Sequence, residues 1–491
     1  MLSLKTLVPF GLLTSAQILI AGFVIYYIGW IIYSRCFHPY HDIPGPFLAS
    51  ITQWWYFRTI RYGIAENSQL PLHKKYGKFV RIAPNEVSIS DATAADIVYG
   101  VDPIWEKTEF YDSFSSRIAD RLDTFSVRDE KVHNIARKKI APLFTPGTVL
   151  EYEPCVDRVI DIFCQCMDGL AESKETFDIS VWFRKYSFDV IGEMFYGKAG
   201  GFGFLRENID YNGWMGMLDV MVPPVSSLGY IPKGMRTLYL MLQLAFSRET
   251  RKGLAAAKTV IEQSQAVVKE RQDAIAAGAE SLRNDYLSRL MKIVHDRGDK
   301  IDFNMQDVVV NVWAMIWAGS DTTGYVICGI FYHMLKTPRV YKKLVDEIQD
   351  AFATGNLSFP IRYNSAMKLP YLSACIKEGM RISPATGTGF PRYVPEGGAT
   401  IAGRYFPGGY KVILNPNVVH FDTECFGEDA EEFVPERWLQ ADEKKVAHMA
   451  RHEIGFGTGP RVCLGKHVSG AYFACRLNCL PVLPFKHWRL D

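Results

Sequence analysis

The stretch from Asp302 to Lys336 constrains the fold most, because its side chains are apolar nearly all the way round a helical period. Val308, Val309, Val310, Val312, Trp313, Met315, Ile316 and Trp317 leave no polar stripe for solvent, so the pattern predicts a helix that runs through a core. Asp302 stands where it can cap the start, and Pro338 follows the end. Midway lies Ala318-Gly319-Ser320-Asp321-Thr322-Thr323, a polar island whose buried groups need partners or a ligand. Helical periodicity from about residue 130 to about 380, punctuated by breaks such as Pro223-Pro224, makes the body mainly α. Small β regions are expected at Gly77–Ser90, where Pro84-Asn85 supplies a turn between two short apolar runs, and at Pro391–Leu414, where glycines mark turns.

The N-terminus predicts a membrane anchor. From Leu12 to Ile32 there are 21 residues without a charge, and about 20 suffice to cross a bilayer. Tyr26, Tyr27, Trp30 and Tyr33 sit at the far end, where amphipathic rings favour the interface. The prolines of His38-Pro39-Tyr40-His41-Asp42-Ile43-Pro44-Gly45-Pro46 then make a stiff connector. The chain therefore divides into an anchor (1–34), a Pro-rich connector (35–50) and a catalytic body (51–491). With 55 basic against 53 acidic residues, no global field recommends nucleic acid as a partner. Ten cysteines without a CxxC pair point to a reducing compartment, hence a body facing the cytosol; Cys328 and Cys375, inside apolar stretches, read as inert core.

Cys463 stands apart. In Phe456-Gly457-Thr458-Gly459-Pro460-Arg461-Val462-Cys463-Leu464-Gly465, glycines permit positive φ and close approach of the backbone to a flat macrocycle, and Arg461 offers a fork to a propionate. Amides at the start of a following helix would stabilise a thiolate, and a thiolate on haem iron favours O–O cleavage.

This loop resembles the haem-binding pattern Phe-x-x-Gly-x-Arg-x-Cys-x-Gly of the cytochrome P450 family, with Phe456, Gly457, Arg461 and Gly465 around Cys463 as the axial ligand of haem b. The resemblance implies that Ala318, Gly319, Asp321 and Thr322 form the oxygen-activating motif of the long helix. Gly319 would then make room for dioxygen, Thr322 would hydrogen-bond bound oxygen and Asp321 would relay protons. A threonine there can also simply bond to the carbonyl four residues back. Glu378 and Arg381 match the family's Glu-x-x-Arg, with Arg437 completing a structural ion network. Arg392, His133 and Arg137 match propionate contacts, although His133 and Arg137 also fit a solvated basic face. The N-terminal segments resemble fungal microsomal members, the pisatin demethylase-like group in particular.

The implied activity is insertion of one oxygen atom into a lipophilic secondary metabolite or toxin, at the endoplasmic reticulum membrane. Electrons would come from NADPH through a reductase, with cytochrome b5 as an optional second donor. Lys138, Lys139 and Lys466 are candidates for docking that partner. An electron-independent isomerase or dehydratase is the alternative, as is a haem-binding relic, because only 28 residues follow Cys463 and Ser469, Tyr472 and Phe473-Ala474-Cys475-Arg476 depart from the usual pattern. Phe110–Ser116 either lines a pocket or packs a loop, and the apolar Met215–Tyr239 region, with Met217, Leu218, Val220 and Met221, is a candidate to dip into the membrane.

Overall fold

The anchor residues form one helix, Leu4–Cys36, whose apolar side chains stand out from the body: Leu19 is 73% exposed and Ile25 70%. Within it Gln17–Cys36 is long and apolar enough to cross a membrane. This is a computed structural model that describes residues 4–115, 118, 121, 123–173, 176–278, 283–440 and 442–470. The last turns of the helix belong to the body. Trp30 Nε1 donates to the Ile51 carbonyl at 2.7 Å, and buried Arg81 donates to the Ser34 carbonyl (2.9 Å), Ser34 Oγ (3.0 Å), Tyr40 O (3.2 Å) and Pro84 O (2.9 Å). One guanidinium thus satisfies carbonyls from the anchor, the connector and a strand turn.

The body is mainly helical with two small sheets, as the pattern predicts. β1 (Phe79–Ala83) and β2 (Glu86–Ile89) are the expected antiparallel hairpin. The region Pro391–Leu414 supplies β3 (Arg392–Tyr393), β4 (Ala399–Ile401), β5 (Arg404–Phe406) and β6 (Lys411–Ile413). β6 runs parallel to β2 and antiparallel to β3, giving the order β1-β2-β6-β3, while β4 and β5 pair separately. One core lies on this sheet, around Tyr40, Val87, Trp105, Phe406 and Trp438. The larger core surrounds the long helix, whose Val308, Val312, Ile316, Ile327 and Ile330 pack against Ile179–Phe195 and its neighbours.

That long helix consists of Met305–Met315, a π-helical turn Ile316–Ser320 and Asp321–Lys336, and Pro338 opens the next helix. Asp302 does not cap it. Asn304 does, accepting from Gln306 N at 2.9 Å while Asp307 accepts from Asn304 N at 2.8 Å, a reciprocal box that holds both orphan amides. Asp302 lies two residues too early; it ends Tyr286–Ile301 at φ +49° and pairs with Arg121 at 3.0 Å. The π turn falls on the polar island, the place where such a bulge most often marks function.

Two apolar regions are placed differently from the expectation. Met217, Leu218 and Met221 are core residues of Trp214–Leu228, and the exposed apolar face belongs to the next helix, Lys233–Phe246, with Met241 62% and Phe246 84% exposed. Phe110 and Tyr111 are buried, Phe110 packing on Tyr230 with centroids 5.6 Å apart, so these two rings fix the loop to the body. Ser116, Tyr472 and Phe473–Arg476 lie outside the described residues.

Candidate active site

Small residues bring two helices close enough to build the first part of the site. A Cβ on Gly319 would stand 2.7 Å from Ile191 Cδ1, and one on Gly324 would stand 3.0 Å from Arg184 Cα. Gly319 therefore serves helix packing, because its missing side chain points at Ile179–Phe195; the accessible small residue on the long helix is Ala318. The close approach sets Arg184 beside Asp321, Nε to Oδ1 at 2.8 Å, while Arg184 Nη2 reaches Asp219 Oδ1 at 2.9 Å and Met215 O at 3.2 Å. Burial raises the Asp321 carboxyl above its usual range, with Arg184 opposing the shift. Asp219, more than half exposed, carries the chain of charge to the surface.

Ala318, Thr322 and Tyr325 are exposed although their neighbours on the same helix are buried. Spacings of four and three residues put them on one face, and that face is accessible. Thr322 Oγ1 donates to the Ala318 carbonyl at 2.6 Å, the back-bond open to a helical threonine, and its side chain remains on this face. Thr323 Oγ1 lies 3.3 Å from Ser469 Oγ, which joins the long helix to the segment behind Cys463.

The glycine loop takes the strained conformations its composition allows. Gly457 has φ +68° and Gly459 φ +66°, and a Cβ at Gly459 would lie 1.9 Å from the Tyr99 carbonyl. The Cys463 amide donates to Phe456 O at 2.9 Å, closing the loop, and Phe456 and Leu464 pack on the larger core. Cys463 is exposed, Gly465 is close enough that a Cβ there would touch Sγ at 3.7 Å, and residues 466–470 are helical. Protein surrounds the sulfur except at its accessible edge and raises the thiol, while the amides of Gly465 and Lys466 hydrogen-bond the sulfur and, with the charges of Arg137 and Lys466, oppose that rise. Cys328, Cys375 and Cys425 lack this setting. Burial pushes the Cys425 thiol up to about 12, and it raises Cys328 and Cys375 as well.

Beside the loop lies a set of crowded cations. Arg461 donates to Glu130 Oε2 (2.6 Å), Val127 O (2.7 Å) and Arg128 O (2.9 Å), so its fork is tied to the start of helix Glu130–Ile140. His133 is buried on that helix with Nδ1 3.2 Å from Glu130, and burial pushes its pKa down to about 4, so it is neutral at pH 7. Arg137, half-buried, feels Cys463 and Glu130. Arg392 donates to Tyr111 Oη at 2.8 Å and stacks over Tyr99 at 5.0 Å. Lys107, which the sequence did not single out, is buried, donates to Phe125 O at 2.6 Å, and is pushed well below its ordinary range by burial, then by Arg392 and Arg461. Lys107, Arg137, Arg392 and Arg461 thus gather around Glu130 and Asp123, a positive excess that suits a ligand with carboxylates.

Behind the loop the charges are closed. Arg381 meets Glu378 through two bonds (3.0 and 2.7 Å), and Arg437 Nε meets Glu378 Oε1 at 2.9 Å. Trp438 Nε1 (2.8 Å) and the Val434 amide (3.0 Å) complete the carboxylate, while Arg381 also donates to the carbonyls of His420 and Ala430, both at 2.7 Å. His420 extends the network to the loop. Its Nε2 accepts the Ile454 amide at 2.8 Å, so Nδ1 must be the donor to Arg381 O at 2.8 Å, and burial holds the ring neutral, with a pKa near about 3. Lys107, Arg184 and His420 have no sequence signal, because each matters through partners distant in the chain.

The sequence pattern described as "Cytochrome P450" matches residues 46–471. Similar curated proteins include the cytochrome P450 monooxygenase gsfF of Penicillium aethiopicum, 34% identical over 461 residues, 93% of this chain and 90% of the relative. A cytochrome P450 monooxygenase of Aspergillus terreus is 33% identical, covering 87% of this chain and 86% of its own. Pisatin demethylase of Fusarium vanettenii is 31% identical over 456 residues, 92% of this chain and 85% of its own.

Proposed function

The chain belongs to the cytochrome P450 family, and on that premise we propose that it is a membrane-anchored monooxygenase that inserts one oxygen atom of O2 into a lipophilic small molecule. The observation that carries this reading is Cys463: an accessible sulfur on a glycine loop, with the amides of Gly465 and Lys466 bonded to it. The donor set fits thiolate-ligated haem b. Haem bound there would supply oxygen activation, with electron donation from the thiolate favouring O–O cleavage. Phe456, Gly457 and Gly465 let the backbone pass close, and Arg137, Arg392 and Lys107, with His133 as a neutral donor and Arg461 adding its charge from its bonds to Glu130, would hold the acidic edge. Asp321, fixed by Arg184 and near solvent-exposed Asp219, is the inward proton carrier, and Thr322 holds its hydroxyl on the accessible face.

The names of the relatives support a fungal secondary-metabolite or detoxification substrate, and the exposed apolar helix Lys233–Phe246 favours one that arrives from the bilayer. Electrons come from NADPH through a cytochrome P450 reductase or cytochrome b5, docked near Lys138 and Lys466, which are exposed; Lys139 instead donates to the Asp302 carbonyl at 2.7 Å. The setting is the endoplasmic reticulum with the body in the cytosol. Reduced membranes treated with carbon monoxide test the assignment: wild type gives a strongly red-shifted Soret band, and Cys463→Ala lacks it. A band that persists in the variant defeats Cys463 as ligand.

A further inference from the structure

A second cluster of metal-binding side chains lies apart from the haem loop. Cys425 sits on the short helix Thr423–Phe426, and His448 and His452 are one turn apart on Glu443–His452, which packs against it. Each contributes a ligand atom, and all three atoms lie within 4.8 Å of one another. Cys425 and His452 are buried and His448 is exposed, so the cluster is lined by protein yet open on one side.

The hydrogen bonds orient one lone pair toward this space. His452 Nδ1 lies 2.9 Å from the His448 carbonyl, which can only accept, so Nδ1 carries the proton and Nε2 of the neutral ring is bare. Nε2 nevertheless faces Asp96 Oδ2, another acceptor, at 3.3 Å, while Arg451 occupies Oδ1 at 2.8 Å. Two acceptors face each other, which calls for a shared cation or a second ring proton. A thiol and a second imidazole beside them favour the cation.

We propose that Cys425, His448 and His452 bind a divalent ion of the zinc class, with the Asp96 carboxylate, which His452 faces, beside the shell. Thiolate with imidazole selects zinc over magnesium or calcium, and Cys, His and carboxylate donors suit its tetrahedral geometry. Binding replaces the Cys425 S–H proton, which leaves to solvent, with a Zn–S bond; no electron moves. The His448 carbonyl already fixes the outer side of His452, the support such a ligand needs, and Arg451 holds Asp96 beside it. The ion joins Thr423–Phe426 to the helix that ends at His452, directly before the segment leading to Cys463.

The test uses the haem-loaded full chain without a histidine tag, dialysed against zinc sulfate, with metal content and zinc-edge X-ray absorption as readouts. The expected result is one zinc per chain with one sulfur at about 2.3 Å and nitrogen or oxygen neighbours at about 2.0–2.1 Å. His448→Ala, at an exposed position, weakens binding at least about tenfold (~1.4 kcal/mol) while the carbon monoxide spectrum stays unchanged. Cys425→Ala removes the sulfur neighbour; should that variant fail to fold, His448→Ala and the wild-type shell decide. A shell without sulfur, or wild-type affinity in His448→Ala, overturns the site.

Discussion

Two groups of buried charge flank the Cys463 loop, and they differ in balance. Behind it, Arg381 and Arg437 share Glu378, Asp429 takes Arg437 at 2.8 Å, and carbonyls fill the remaining donors. Beside it, Lys107, Arg137, Arg392 and Arg461 crowd together with Glu130 and Asp123. A closed network holds its own scaffold, since removing one member strands the others without solvent. An open one carries mutual repulsion that a bound anion relieves. The same residue types therefore do opposite work, and completeness of pairing tells them apart.

The largest effect is expected from breaking the closed network. Glu378→Ala leaves two guanidiniums buried without their carboxylate and costs about 3–5 kcal/mol, read as a collapse of the denaturation midpoint and loss of folded protein. An unchanged midpoint would erase the distinction. Asp321 sits between the two types, paired with Arg184 but near the surface. Asp321→Asn should cut product formation on any accepted substrate by about a hundredfold, with a larger solvent isotope effect and intact folding. For the open cluster the sign reverses. Lys107→Met leaves the haem-free fold as stable as before or more so, and speeds haem loss to apomyoglobin about tenfold. Destabilisation of both forms would mean that Lys107 is scaffold.

The smallest effect concerns a solitary buried carboxyl. Glu86 accepts from Tyr230 at 3.3 Å, and burial raises its pKa to about 7. A carboxyl raised above its unfolded value contributes most when protonated, so its contribution is lost as pH rises through about 7. The melting temperature should fall as pH rises from about 4.5 to about 7 and level off above that, and Glu86→Gln should flatten that slope.

Much of this was legible in the sequence. The apolar long helix, the β1–β2 hairpin, the glycine loop and the Glu378–Arg381 spacing are local patterns, and local patterns survive folding. Partners were not legible. Arg461 reads as a fork for a ligand, yet its bonds run to Glu130 and two carbonyls, because a side chain's target depends on which segment folds against it. Gly319 reads as space for a ligand and instead receives Ile191. Asn304 in place of Asp302 is a two-residue shift, the scale on which caps compete.

Arg81 sets a practical boundary for anyone who shortens this chain for crystallisation. Its donors end on Ser34 and Tyr40, and Trp30 holds Ile51, so the expected division after residue 34 cuts through a solvent-free junction. A start site before Trp30 removes most of the greasy exterior and keeps that junction; one after Ser34 leaves a buried cation without the Ser34 carbonyl and hydroxyl, and an insoluble preparation would then report the cut, not the enzyme.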